Sequence, residues 1–372
     1  MSNRGTLRSG VHSKAIVTAG VVEATLMMTA VYRGLGLAAA ALACAGCGRD
    51  TTVPGPPAAV DAAPVRVAAT RPLMGVAWTI TVYARDPESG EQAVAAGFAE
   101  AERLERILSD YNPESELSQL SAAAPTREPI RVSDDLWAVL DRADEIRGLT
   151  DGAFDITVGP LTTLWRQSRR SGYLPRQDKL VAARSAVDGA AVLLDREART
   201  ASLTRPGMRL DPGGIGMGYA ADRVLTVLAG HGIASAMVDA SGDVAVSAAP
   251  PGADGWRIEV APMPGDRAGQ VVVLENAAIT TSGDARQFVE IEGRRWSHIV
   301  DPRTGLGVAG PAAVTVIAPD CTTADAVATA ASVLGHERGP AMIAKFPGVS
   351  ARFVWRDGEA VSDSVTPGWP DR

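Results

Sequence analysis

Apolar residues between Glu91 and Leu108 fall at positions 94, 97/98, 101, 104 and 107/108, a stripe with helical period. The turn cluster Ser109-Asp110-Tyr111-Asn112-Pro113 ends that helix. Upstream, Ala77 to Ala84 alternates between apolar and polar positions, as a half-buried strand does. Ser133 is placed to cap a second helix, Asp134 to Arg147, which stops at Gly148. A third helix is predicted from about Tyr219 to Ala229, before Gly230 and Gly232. Strands are predicted at 234–238, 243–248, 256–261, 270–275 and 287–299, the last folded back at Glu292-Gly293. Val314 to Ala318 reads as a strand and Thr323 to Leu334 as a helix. Phe353 to Trp355 and Ala360 to Ser362 form a closing hairpin around Asp357-Gly358. Helices and antiparallel hairpins alternate without a βαβ rhythm, which points to an α+β fold rather than a doubly wound sheet. No internal repeat is visible.

The N-terminal region breaks from this pattern. Gly34 to Ala45 is a short apolar run behind Arg33, too short to span a bilayer comfortably. It leads to Cys44-Ala45-Gly46-Cys47, so residues 1–47 read as a secretory signal peptide that ends like a bacterial lipobox. Cys44 occupies the place where Leu is usual, and Met27 or Met28 would start a signal of ordinary length. Residues 48–65, rich in Pro, Ala and Gly, read as a flexible tether. The ordered domain is expected over 66–372. This layout implies an exported protein, periplasmic or held to the membrane by a lipid on Cys47.

Composition narrows the function classes. The 372 residues are 46% hydrophobic and 21% charged, ordinary values for a globular protein with ample core. A net charge of −7 offers no basic surface for nucleic acid, and 5% aromatics offer little platform for base stacking. Cys321 stands alone beyond the signal, so no intrachain disulfide staples the domain. Cys44 and Cys47 are not a c-type haem site, because Gly48 stands where such a site needs His.

Five segments combine reactive groups with turn chemistry. In Trp296-Ser297-His298-Ile299-Val300-Asp301-Pro302-Arg303-Thr304-Gly305 a short strand carries His298 to a bend, where its imidazole is either a reactive group or a partner for a loop carbonyl. The glycine-dense run from Asp211 to Asp222 opens a helix and is either a backbone cradle for phosphate or a tight packing turn. Its spacing is not a dinucleotide fingerprint. Asp325 and Thr329 lie four residues apart on one helical face, as hard oxygen ligands for Mg2+ or as a first-turn acid and a core Thr. Thr280 to Asp284 reads as a polar turn after the 270–275 strand. Gly152 to Leu161 joins an acid to an apolar turn.

Taken in order, Met74-Gly75, Ser109-Asp110-Tyr111 with Ser115-Glu116-Leu117, Gly152-Ala153-Phe154-Asp155, Asp211 to Asp222, Thr281-Ser282-Gly283-Asp284, His298 to Gly305 and Ala324-Asp325 to Thr329 form a succession. It resembles the ApbE-type FAD:protein FMN transferases over roughly residues 70–340. The resemblance implies a single T-fold-like domain of antiparallel strands and packed helices. It also implies an enzyme that binds FAD and Mg2+, transfers FMN to a Thr or Ser hydroxyl of a partner flavoprotein of an electron-transfer system, and releases AMP. By motif match, Asp325, Thr329 and the Gly214 carbonyl hold the metal. Met74, Tyr111, Ala153, Phe154, Asp155, Asp211, Met217 and Ile299 contact FAD, and His298 takes the acceptor proton or orients the acceptor. Three positions depart from the pattern: Met217 replaces a usual Lys or Glu, Asp239-Ala240-Ser241-Gly242-Asp243 replaces Asn-x-Gly-Gly-Asp, and Ser121 replaces Asn. Two rival functions use the same parts: a metal-dependent FAD pyrophosphatase, and a non-catalytic flavin-binding lipoprotein.

Overall fold

A computed structural model describes residues 63–260, 263, 269–284, 287–310 and 312–370. The expected leader, the lipobox cysteine and nearly all of the tether lie outside these residues. Regular structure begins with strand β1 (Val65–Leu73), one residue before the expected start, and β2 (Val76–Ala84). β1 escapes the periodicity because it is an edge strand with mostly exposed side chains. Helix α1 (Pro87–Leu108) follows, capped by Asp86, whose carboxylate accepts from Ser89 N at 2.8 Å. Next come α2 (Glu116–Ala122), β3 (Ile130–Arg131), α3 (Asp134–Leu149), α4 (Gly159–Ser171) and α5 (Gln177–Ser185). The chain continues through β4 (Val192–Asp195), β5 (Thr200–Leu203), α6 (Gly216–Gly230), β6 (Ser235–Ala240), β7 (Asp243–Val246), β8 (Trp256–Glu259) and β9 (Val271–Leu274). It closes with β10 (Ala277–Gly283), β11 (Phe288–Ile291), β12 (Arg294–Val300), β13 (Gly307–Ala309), β14 (Ala312–Ala318), α7 (Cys321–Ile343), β15 (Ser350–Asp357) and β16 (Ala360–Val365).

The architecture is α+β, as the sequence predicts. Eight antiparallel strands form the main sheet in the order β1-β2-β6-β7-β10-β14-β15-β16. α1, α6 and α7 pack on it. Trp78, Ile80 and Val82 of β2 meet Phe98 and Leu104 of α1 and Val224 and Leu228 of α6 in the principal core. α7 is buried on almost every side from Cys321 to Val333, and its Ala-rich sequence allows neighbours to approach from all directions. On the opposite face, Trp256, Val272 and Leu274 of the β8–β9 ribbon cover Val244, Val246 and Ile279. A third cluster joins α4 and α5 to the β11–β12–β13 sheet through Leu161, Trp165, Leu180, Trp296 and Val300.

One expectation needs correction. Thr280 to Ser282 are not a turn: they lie inside β10, a strand with a neighbour on each side, and only Asp284 follows its end. Thr281 is accommodated there by a bond to Thr315 of the adjacent strand, 2.9 Å between hydroxyl oxygens. The helix expected to stop at Leu334 does end there: Gly335 (φ +71°, ψ −179°) breaks it, and a second helical stretch of α7 runs on to Ile343. The fold-back at Glu292-Gly293 is present, with φ of +54° and +72°. Among the described residues, no helix is long and apolar enough to cross a membrane.

Candidate active site

A cavity of about 1260 Å³ opens where the main sheet, α4, α6, α7 and β12 converge. Every residue expected at the site lines it: Met74, Tyr111, Ala153, Phe154, Asp155, Asp211, Gly214, Met217, His298, Ile299, Asp325 and Thr329. Their placement follows from local rules. Met74 and Gly75 form the two-residue β1–β2 turn, both with positive φ (+49° and +78°). The segment 109–112 is held by the Ser109 carbonyl, which accepts from the Ser118 hydroxyl at 3.0 Å and also from the Ser115 hydroxyl. The Thr150 hydroxyl accepts from Phe154 N at 3.2 Å and fixes the next wall segment.

Asp155 lines the cavity, but its carboxylate is occupied by the protein. One oxygen accepts from Thr157 N at 2.8 Å and Thr157 Oγ1 at 2.6 Å, the other from Gly189 N at 3.1 Å. Asp211 is anchored as firmly, accepting from Gly213 N at 2.8 Å, Thr162 Oγ1 at 2.6 Å and Arg166 Nη2 at 3.0 Å. Ser121 bonds this wall as well, its hydroxyl accepting from Leu210 N at 3.0 Å.

The prospective metal donors come from α6 and α7. Gly218 N donates to Asp325 Oδ2 at 3.2 Å. A Cβ on Gly214 would lie 2.7 Å from Thr329 Oγ1, so only glycine lets this loop reach the hydroxyl. Asp325 is 3% and Asp243 is 7% exposed, and both border the cavity. Burial pushes the carboxyl of Asp325 well above its usual range, and the neighbouring Asp243 pushes it further. Burial likewise raises Asp243, with Asp239 adding to the effect. Among the described residues, no Lys or Arg forms an ion pair with either. Two buried carboxylates, a hydroxyl and a carbonyl with no cationic side chain between them fit a hard divalent cation. Among the described residues, no cluster of three His, Cys, Asp or Glu offers a competing metal site.

His298 stands across the cavity on β12. Its backbone N–H donates to the Gln287 carbonyl at 3.2 Å, and its Nδ1 lies 3.3 Å from the same oxygen. A carbonyl only accepts, so that contact requires Nδ1 to carry the proton and leaves Nε2 as the basic nitrogen. Burial lowers the imidazole pKa, Arg169 lowers it further, and the Gln287 carbonyl and Asp284 partly oppose them. Trp165 Nε1 donates to the Ser297 carbonyl at 2.8 Å, and Asp284 holds Arg295 at 2.6 Å, so the strand bearing His298 is pinned from α4 and from the end of β10. Asp284 has this tethering role and does not line the cavity.

Arg166, Arg169, Gln287 and Asp243 also line the cavity, and no motif of the sequence gives any of them a role. Asp243 sits in the Asp239–Asp243 segment already noted as unusual. The α4 residues carry only the generic signal of Pro160 at a helix start.

The chain is similar to known proteins in sequence and in fold. Residues 74–353 match the ApbE family. A Treponema pallidum protein named FAD:protein FMN transferase is 31% identical over 303 residues, 77% of this chain and 83% of that protein. A Vibrio cholerae protein of the same name is 34% identical over 280 residues, 73% of this chain and 82% of that protein. The crystal structure of Pseudomonas stutzeri flavinyl transferase ApbE, apo form, superposes with a TM-score of 0.74 at 29% identity, covering 82% of this chain and 96% of that one.

Proposed function

This chain belongs to the ApbE family, and we propose from that premise that it is an FAD:protein FMN transferase working with Mg2+ on a Thr or Ser hydroxyl of a partner flavoprotein. The observation that carries the reading is the convergence of His298, Asp325, Thr329 and Gly214 in the cavity that also gathers the flavin-contact set. The acceptor oxygen forms a bond to the phosphorus of the FMN half, the pyrophosphate bond breaks, and AMP leaves. The acceptor proton goes to His298 Nε2, which its Nδ1 contact leaves free. Burial and Arg169 hold the imidazole neutral, so it enters the step as a base. Asp325, Thr329 and the Gly214 carbonyl would hold Mg2+, which when bound neutralises pyrophosphate charge. Met74, Tyr111, Ala153, Phe154, Asp211, Met217 and Ile299 would bind the dinucleotide. For Asp155, whose carboxylate is taken, the contact falls to its backbone. The signal peptide expected in residues 1–47, with its lipobox-like Cys47, supports a reaction outside the cytoplasm. N-terminal mapping and lipid labelling of the mature protein check that location.

The test incubates the purified domain with FAD, Mg2+ and an FMN-acceptor domain, and reads in-gel flavin fluorescence. Covalent label that needs the metal and disappears in His298→Ala is expected. Free FMN and AMP formed without label would favour the pyrophosphatase. A yellow protein that never turns FAD over would favour the binding protein.

A further inference from the structure

Arg166 sits on α4, one turn before Arg169, and no motif of the sequence points to it. Its Nη1 donates to Asp110 Oδ2 at 2.6 Å and its Nη2 to Asp211 Oδ2 at 3.0 Å. Both carboxylates are buried, 6% and 7% exposed. The same guanidinium lies over the Tyr111 ring, 4.4 Å from its centroid, and Tyr111 itself is 75% exposed. One side chain therefore joins three segments of the cavity wall: the α1–α2 turn, α4, and the loop before α6.

The charges make this arrangement consequential. Burial pushes the carboxyl of Asp110 up, and the charge of Asp211 pushes it further; Arg166 opposes both. Burial also works against the Arg166 cation, and the two carboxylates outweigh it. Arg209 is the other cation facing this pair, and its guanidinium is engaged by the Asp110 carbonyl oxygen. Arg169 faces His298 instead. Without Arg166, two buried like charges would face an anionic dinucleotide, or one would take up a proton. Tyr111 would also lose the cation that holds its ring at the cavity wall.

We propose that Arg166 is a positioning residue: by bridging the Asp110 and Asp211 carboxylates and covering the Tyr111 ring it holds three wall segments in the geometry that binds FAD, at neutral and mildly acid pH alike. The proposal rests on the FAD reading above, and the measurement separates the two. Binding of FAD is followed by flavin fluorescence, without acceptor, at pH 6 and pH 8, for the wild type and for Arg166→Met, Arg166→Lys and the double variant Asp110→Asn/Arg166→Met. Wild-type affinity should change little between the two pH values. Arg166→Met should bind roughly tenfold more weakly at pH 8 and recover much of that loss at pH 6. Arg166→Lys should keep the flat pH response while binding more weakly, because an ammonium cannot bridge both carboxylates in a plane. The double variant should also be flat, since one carboxylate is gone. In turnover, KM for FAD should rise more than kcat falls. Wild-type affinity in Arg166→Met at both pH values, or an equal loss at both, overturns the proposal. If Arg166→Met does not fold, Arg166→Lys and the double variant decide it, and a pH-dependent loss in either overturns it. A wild type that binds no FAD overturns the functional reading instead.

Discussion

A proton on Nδ1 of His298, fixed by the Gln287 carbonyl, makes the other ring nitrogen the working one. Activity then requires the neutral ring and is lost as pH falls through the imidazole pKa. That pKa is lowered by burial and by Arg169, so the acid limb of kcat/KM should lie below the ordinary imidazole range. Arg169→Met should move this limb to higher pH, and a limb that stays put would remove Arg169 from the argument. His298→Ala should lower transfer by a factor of about 10²–10⁴ at neutral pH, the usual worth of a positioned base, as measured by flavin incorporation rate. A different residue-level prediction concerns Ser241, which holds φ +60° in the β6–β7 turn. Ser241→Gly relieves a left-handed conformation costing ~1–2 kcal/mol but frees the unfolded chain, so a gain of up to about 1 kcal/mol is expected in denaturant titration. At this scale the motif residues were legible because their chemistry is local: Asp325 and Thr329 share a helical face four residues apart. Arg166 and Gln287 were not, because each acts through partners 11 to 56 residues away, which no window of sequence displays.

Between elements, α6 and α7 approach each other closely. A Cβ on Gly218 would lie 2.3 Å from the Cys321 carbonyl oxygen and 2.9 Å from Asp325 Cβ. Asp222, also on α6, accepts from Cys321 N and Thr322 N, both at 2.8 Å, and so holds the start of α7. Gly218→Ala must push the helices apart and withdraw the N–H that orients Asp325. A loss of about 1–3 kcal/mol in thermal or chemical unfolding is expected, together with weaker metal dependence of activity. The long amphipathic α1 and the β11–β12 hairpin were legible from periodicity and turn residues. β10 was not, because its Ala-Ala-Ile-Thr-Thr-Ser-Gly run is buried between two strands and shows no alternation. α4 was hidden for the opposite reason: its sequence is polar apart from Leu161, Leu164 and Trp165, and its buried side faces only the small third cluster.

For the molecule as a whole, the paired carboxylates beside α7 link ligand binding to stability. A cation bound only by the folded protein stabilises it by RT ln(1 + [L]/Kd), ~2.7 kcal/mol at a hundredfold excess over Kd. Mg2+ should therefore raise the melting temperature, as read by calorimetry with and without chelator. Asp325→Asn should abolish that rise. Without metal the variant should melt no lower than the wild type, since it removes a buried carboxyl whose ionised form burial and Asp243 disfavour, while an amide oxygen can still accept from Gly218 N. A large fall in the metal-free melting temperature would contradict this picture of the pair.

The walls of the cavity begin at Met74 and end at Thr329, on elements from the first hairpin to the last long helix. Every catalytic and binding group is thus a loan from a different part of the chain, and no segment owns the site. A molecule clipped anywhere between those two residues whose pieces then separate retains no fractional turnover. Measured activity should accordingly count intact molecules, falling in step with the loss of full-length domain during limited digestion and ahead of any loss of helical signal.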